Sequence, residues 1–267
     1  MKLQHATGIA LSQADAGEAD VICTYYTHEF GKRSFIFKGL RKSRRRSRAV
    51  VEPGVTAHLV FYDREGIDTC IVKESDIVAY HPSIGSDLRR IFHLLFILEV
   101  VEKSSAFLAA DSAVYRLLSM GIKALSTTPY PTHLVCFCIL RLMKAQGILA
   151  QFGSCKSCGR GIEGTFTIDP VDFHPVCRPC VGDGENPSRL ASPLFRPPVM
   201  GYLQSCLTAR FGTIEHSLIP EGDVLNCIYV STLFLERYLR RELKSKSFIL
   251  SERYAGESAS RTDSVVP

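Results

Sequence analysis

Cys155, Cys158, Cys177 and Cys180 form two Cys-x2-Cys pairs separated by 18 residues. Four thiolates at this spacing suit a zinc ion held at tetrahedral corners by two tight knuckles. Gly153, Gly159 and Gly161 flank the first pair, where the backbone must turn sharply, and Pro175 and Pro179 bracket the second. With all four positions supplied by protein, none remains for water or substrate. The expected chemistry is therefore structural: one Zn2+ per chain acting as a staple. Paired disulfides are the alternative, but they suit an exported protein, and the N-terminus lacks a basic-apolar-small leader pattern. The six other cysteines (Cys23, Cys70, Cys136, Cys138, Cys206 and Cys227) show no regular spacing and read as small buried hydrophobes in a reducing cytoplasm.

A second cluster has the chemistry of a polyanion site. Lys32, Arg33, Lys38, Arg41, Lys42, Arg44, Arg45, Arg46 and Arg48 fall within seventeen residues that contain no acid. Such a run repels itself unless phosphates or carboxylates face it, so a nucleic-acid surface is expected; a solvated loop is the plainer alternative. Phe35 and Phe37 lie inside the run and are candidates for stacking on unpaired bases if their rings point outward. Near the C-terminus Arg237, Arg240, Arg241 and Lys244 make a weaker basic stretch, interrupted by Glu236 and Glu242. There a solvated helix face is the default, and contact with a partner or with DNA is the functional reading.

Other chemistries fail on spacing. Gly159 to Gly164 spells Gly-x-Gly-x-x-Gly, but it begins one residue after a metal ligand and not between a strand and a helix. No phosphate-binding loop ending in Gly-Lys-Ser/Thr occurs, and no His-x-Glu precedes the second cysteine pair as a zinc deaminase requires. His174 is a candidate for a supporting role beside the knuckle, although a plain loop histidine is the commoner case. No catalytic residue is expected, and the chain reads as a binding protein.

The elements that must position these groups change character along the chain. Thr7–Ser12, Val21–Thr27, Ser34–Gly39, Val55–Tyr62 and Thr69–Lys73 are β-branched or aromatic runs, several alternating with period two. Five strands in so short a stretch suit a small closed barrel of the OB type, with the basic segment as its third strand and following loop. From about Pro82 the period becomes helical, through Leu88–Glu99, Val114–Leu125 and Thr132–Ala145, with Asp111 or Ser112 placed to cap the second helix. Further helices are expected near Val199–Ala209 and Val224–Lys246. The expected class is α+β: an OB-fold domain over 1–80, then a helical domain over 81–250 carrying a four-cysteine zinc ribbon at 151–184. A disordered polar tail is expected over 251–267. With 267 residues, 46% of them hydrophobic, the chain can bury a sizeable core, and its net charge of +5 matters mainly through its clustering. The longest strongly apolar stretch, Ile91–Val101, is too short to span a bilayer.

The order of these parts, with several local motifs, resembles the bacterial recombination mediator family RecO over roughly residues 5 to 250. The motifs are Glu18-Ala19-Asp20 before the second strand, Thr27 to Gly31, and Lys38-Gly39 with Arg41 and Lys42. Gln146-Gly147-Ile148 ahead of Cys155, and Glu236-Arg237-Tyr238-Leu239 with Leu243-Lys244-Ser245, continue the likeness. The dense Arg44-Arg45-Arg46 run and the tail beyond Arg253 depart from the family pattern. The resemblance implies a non-enzymatic, cytoplasmic, nucleoid-associated DNA-repair protein that binds single- and double-stranded DNA, anneals complementary strands and helps to load RecA. Its implied partners are RecR, the acidic C-terminal tail of single-strand-binding protein, and in some cases RecF. An RNA-binding adaptor of transcription or translation, using the same barrel and zinc ribbon, is the alternative reading of the parts.

Overall fold

The computed structural model describes residues 2–63, 69–149, 152–181 and 192–251. The turn expected at residues 64–66, the segment around Pro187 and the polar tail beyond residue 251 lie outside them. The chain forms two compact units, Met1–Thr128 and Pro129–Pro267.

In the first unit β1 (Lys2–Ala16), β2 (Asp20–Thr27), β3 (Gly31–Phe37), β4 (Thr56–Asp63) and β5 (Thr69–Ala79) form a closed sheet in the order β1-β2-β3-β5-β4. Closure depends on the length of β1. Residues 2–9 pair with β4 and residues 8–16 with β2, and a register shift between Ala10 and Ser12 bends the strand from one neighbour to the other. The hydrophobic pattern points only to Thr7–Ser12, because residues toward both ends of the strand, such as Lys2, Leu3, Gln13 and Asp15, face solvent. The ring closes where β3 runs parallel to β5 over Ser34–Ile36 and Thr69–Ile71. Its interior is aromatic: Phe35 packs edge-on against Phe61 at 5.0 Å and against Tyr25 at 5.7 Å.

Two 3-10 turns, Leu40–Lys42 and Arg48–Val51, carry the chain from β3 to β4. Buried Tyr25 ties the second turn to the core by donating its hydroxyl proton to the Val50 carbonyl.

After the short α1 (Pro82–Gly85) come α2 (Leu88–Ser104) and α3 (Ser112–Leu125), which begin at Asp87 and Asp111. Both aspartates accept hydrogen bonds from the backbone N–H groups two and three residues on, which explains why the helices start there. By contact, α2 and α3 belong to the same compact unit as the sheet. Ser12 donates to Glu102, and the Tyr26 hydroxyl meets the backbone of Asp111. Gly31, at φ +66, sits where a Cβ would lie 2.2 Å from the Ala109 carbonyl oxygen, so no other residue fits that crossing.

The second unit contains α4 (Pro131–Ala145), the two-stranded β6 (Phe166–Ile168) and β7 (Pro175–Cys177), α5 (Arg178–Val181), α6 (Pro197–Thr208) and α7 (Glu221–Leu239). Cys136, Cys138, Cys206 and Cys227 are buried among α4, α6 and α7, where each fills space as a small apolar side chain. The last helix ends earlier than its periodicity suggests. Arg240 turns left-handed at φ 52, its N–H and that of Arg241 close on the end of α7, and Leu243 is then buried. No helix among the described residues is long and apolar enough to cross a membrane.

Candidate functional site

The basic segment separates into four environments. Lys32 and Arg33 belong to the barrel. The Lys32 ammonium donates to the Glu102 carbonyl and lies 4.5 Å from the centre of the Phe107 ring. Arg33 pairs with Asp63 at 2.5 Å and lies over the rings of Phe30 and Phe61. Both side chains are buried, so the expectation that they meet nucleic acid is corrected: they hold β3 to its neighbours. Phe35 and Phe37 are fully buried as well and offer no face to a base. Alternating residues of a strand share one face of the sheet, and for Phe35 and Phe37 that face is the barrel interior.

Lys38, Arg41 and Lys42 have acidic partners from the β1–β2 turn. Lys38 meets Asp20 at 2.7 Å, Arg41 meets Asp15 at 3.2 Å, and Lys42 meets Glu18 at 3.2 Å. Asp20 also accepts the Gly39 N–H at 2.8 Å, and the Lys38 ammonium and this N–H hold its carboxyl below the usual 3.8. The Arg41 and Lys42 pairs are largely exposed, and pairs of that kind contribute about 0.2–1 kcal/mol, so a polyanion can displace them. Asp20 is the better-held acid because it bonds the loop backbone in addition to a lysine.

Arg46 and Arg48 fold back to donate to the carbonyls of Lys38 and Arg41, which shapes the loop while leaving their charges uncancelled. Arg44 and Arg45, at its tip, are exposed and have no side-chain partner among the described residues. The cationic surface is therefore Arg44, Arg45, Arg46 and Arg48, with Arg41 and Lys42 behind a displaceable acidic turn. The spacing of Asp15, Glu18 and Asp20 around the β1–β2 turn is the sequence signal that could have exposed this pairing.

The second site lies in the β6–β7 insertion. The Sγ atoms of Cys155, Cys158, Cys177 and Cys180 all fall within 4.8 Å of one another, and all four thiols are free. The Cys158 and Cys177 sulfurs are 3.8 Å apart, the separation expected in a tetrahedron with metal–sulfur bonds of about 2.3 Å. Burial opposes ionisation of the Cys155 thiol, but the N–H groups of Cys177, Cys158 and Ser157 outweigh it and bring the group down to about 6. Such N–H donors are what a knuckle provides to a thiolate. The donor set thus fits a metal ion of zinc's preferences and leaves no open position.

The knuckles are tied to the helices around them. Phe166 exchanges two backbone hydrogen bonds with Phe195 just before α6, and Phe173 packs on Phe234 of α7 at 5.5 Å. Lys156 bridges the first knuckle to Asp169 and Asp172 in the β6–β7 turn at 2.9 and 2.5 Å. His174 contacts the Asp172 carboxylate at 3.4 Å. Gly159 to Gly164 lies on the return from the first knuckle, away from any strand-to-helix turn of the kind that cradles a dinucleotide.

Arg237, Arg240, Arg241 and Lys244 are all exposed around the end of α7.

Comparison with known proteins gives one consistent likeness. The family model described as "Recombination protein O N terminal" matches residues 1–80, and "Recombination protein O C terminal" matches residues 85–247. A DNA repair protein RecO of an Exiguobacterium species is 26% identical over 157 residues, covering 59% of this chain and 62% of that protein. The protein of the same description from Exiguobacterium sibiricum is 25% identical over 245 residues, or 91% of this chain and 95% of the relative. That from Bacillus velezensis is 24% identical over 247 residues, or 92% and 94%.

Proposed function

Since the chain belongs to the RecO family of DNA repair proteins, mediators rather than enzymes, we propose that it binds single- and double-stranded DNA and anneals complementary strands during recombinational repair. The observation that carries this reading is the cationic loop beside the five-stranded sheet, which we take to be an OB-type barrel. Arg44, Arg45, Arg46 and Arg48 neutralise phosphates, and Arg41 and Lys42 join them when the strand displaces Asp15 and Glu18. Binding of this kind releases counterions and carries little sequence preference. Two strands held on cationic surfaces also repel each other less, which favours annealing without nucleotide hydrolysis.

In this reading the four cysteines hold structural Zn2+ and stiffen the helical unit. The protein works in the cytoplasm with RecR and with the acidic tail of single-strand-binding protein, assisting RecA loading, with RecF as a further partner.

The test is the salt dependence of single-strand binding, measured by anisotropy of a labelled oligonucleotide. Six phosphate contacts predict that log K falls with log salt at a slope of about −4, and Arg44→Ala with Arg45→Ala brings it to about −3 at an unchanged melting temperature. An affinity indifferent to salt would exclude this mode of binding.

A further inference from the structure

The end of α7 is more cationic in three dimensions than in sequence. Glu236 and Glu242 interrupt the basic stretch along the chain, but both carboxylates lie within ion-pair distance of Lys246. Glu236 meets Lys246 at 2.8 Å and also accepts the Leu243 N–H at 2.7 Å, while Glu242 meets Lys246 at 3.4 Å. Arg237, Arg240 and Arg241 are left exposed, with no side-chain partner among the described residues. The turn that presents them is well held. Arg240 closes the helix in a left-handed conformation, and Leu243 and Ile249 are fully buried beyond it.

An aromatic ring lies within this cationic turn. Tyr238 is 56% exposed, the ring behind it belongs to Phe234 at 6.1 Å and 23°, and Phe234 in turn rests on Phe173. An aromatic ring backed by a second ring, with exposed arginines one to three residues away in sequence, can stack on an unpaired base while the arginines meet its phosphates. Phe35 and Phe37, the rings within the other basic segment, cannot do this because they are buried.

We propose that Tyr238, with Arg237, Arg240 and Arg241, forms a second nucleic-acid site that grips single strands by base stacking. This deepens the DNA-binding reading and rests on it. Each compact unit then carries its own cationic surface: the barrel loop takes phosphates of either single or double strands, and the α7 turn selects strands whose bases are unpaired. An acidic protein segment would find the arginines attractive too, and the experiment below separates it from a single strand.

The chain has no tryptophan, so Tyr238→Trp installs a single fluorescent indole at the site. In the full-length protein, a labelled oligothymidine is expected to quench that indole over the range in which its own anisotropy rises. Adding Arg237→Ala, Arg240→Ala and Arg241→Ala should move the quenching to higher DNA concentration. As a second variant, Tyr238→Ala should lower single-strand affinity about fivefold or more, leave duplex affinity nearly unchanged, and be rescued by Tyr238→Phe. Rising anisotropy with unchanged indole emission would overturn the second site while the barrel-loop reading stands. No response in either signal would overturn both. Quenching by a polyglutamate peptide but not by the oligothymidine would overturn the DNA site in favour of an acidic protein partner.

Discussion

At the scale of single residues, charge in this protein is decided by neighbours distant in sequence. Lys32 and Arg33 look like Arg44 and Arg45 in a list of cations, yet the first two are buried and the last two are free at a loop tip. The difference lies in the Glu102 carbonyl and the Asp63 carboxylate, 70 and 30 residues further along, which no local pattern announces. The four cysteines were legible because a knuckle is a local object in which only two residues separate the paired cysteines. Phe35 and Phe37 were legible as sharing a face, but only the closure of the sheet decides that the face is interior.

Asp20 gives this scale a pH prediction. Its folded carboxyl titrates below the ordinary value because Lys38 and the Gly39 N–H favour the charged form. A depressed carboxylate stabilises above the unfolded value and ceases to do so as pH falls through the folded one. The clasp on the loop is therefore complete at neutral pH and is released only as the pH drops below 3.8. Asp20→Asn should reproduce that release at neutral pH, and faster hydrogen exchange at the Gly39 amide would report it. Unchanged exchange would mean that the 3-10 turns hold the loop unaided.

At the scale of elements, the five strands and the principal helices were largely readable from hydrophobic period and capping. Asp87 and Asp111 begin their helices as capping chemistry requires. The ends were less readable. β1 extends beyond its apolar core because two neighbours supply hydrogen bonds to its polar ends, and α7 stops at Leu239 because Leu243 is buried after a left-handed turn.

In the β6–β7 insertion Phe166, Ile168 and Phe173 are fully buried, and in the proposed reading a zinc ion on the four cysteines adds to the order they supply. Cys155→Ser is expected to abolish stoichiometric zinc binding and lower the melting temperature. Chelation of the wild type should do the same, because metal binding and local folding are coupled. Metal loss at constant melting temperature would show that Phe166 against Phe195 and Phe173 against Phe234 suffice to hold the insertion.

At the scale of the whole molecule, each compact unit presents exposed arginines: a closed five-stranded sheet with a basic loop, and a helical unit with a four-cysteine cluster and its own basic turn. The family to which the chain belongs consists of DNA repair mediators rather than enzymes. The most direct test of this account is the annealing rate of complementary oligonucleotides pre-coated with single-strand-binding protein, with no nucleotide present. The zinc-loaded protein should accelerate annealing, steeply less so as salt rises, and Arg44→Ala with Arg45→Ala should remove most of the acceleration. A folded, zinc-loaded protein that binds DNA yet leaves the annealing rate unchanged would contradict the account.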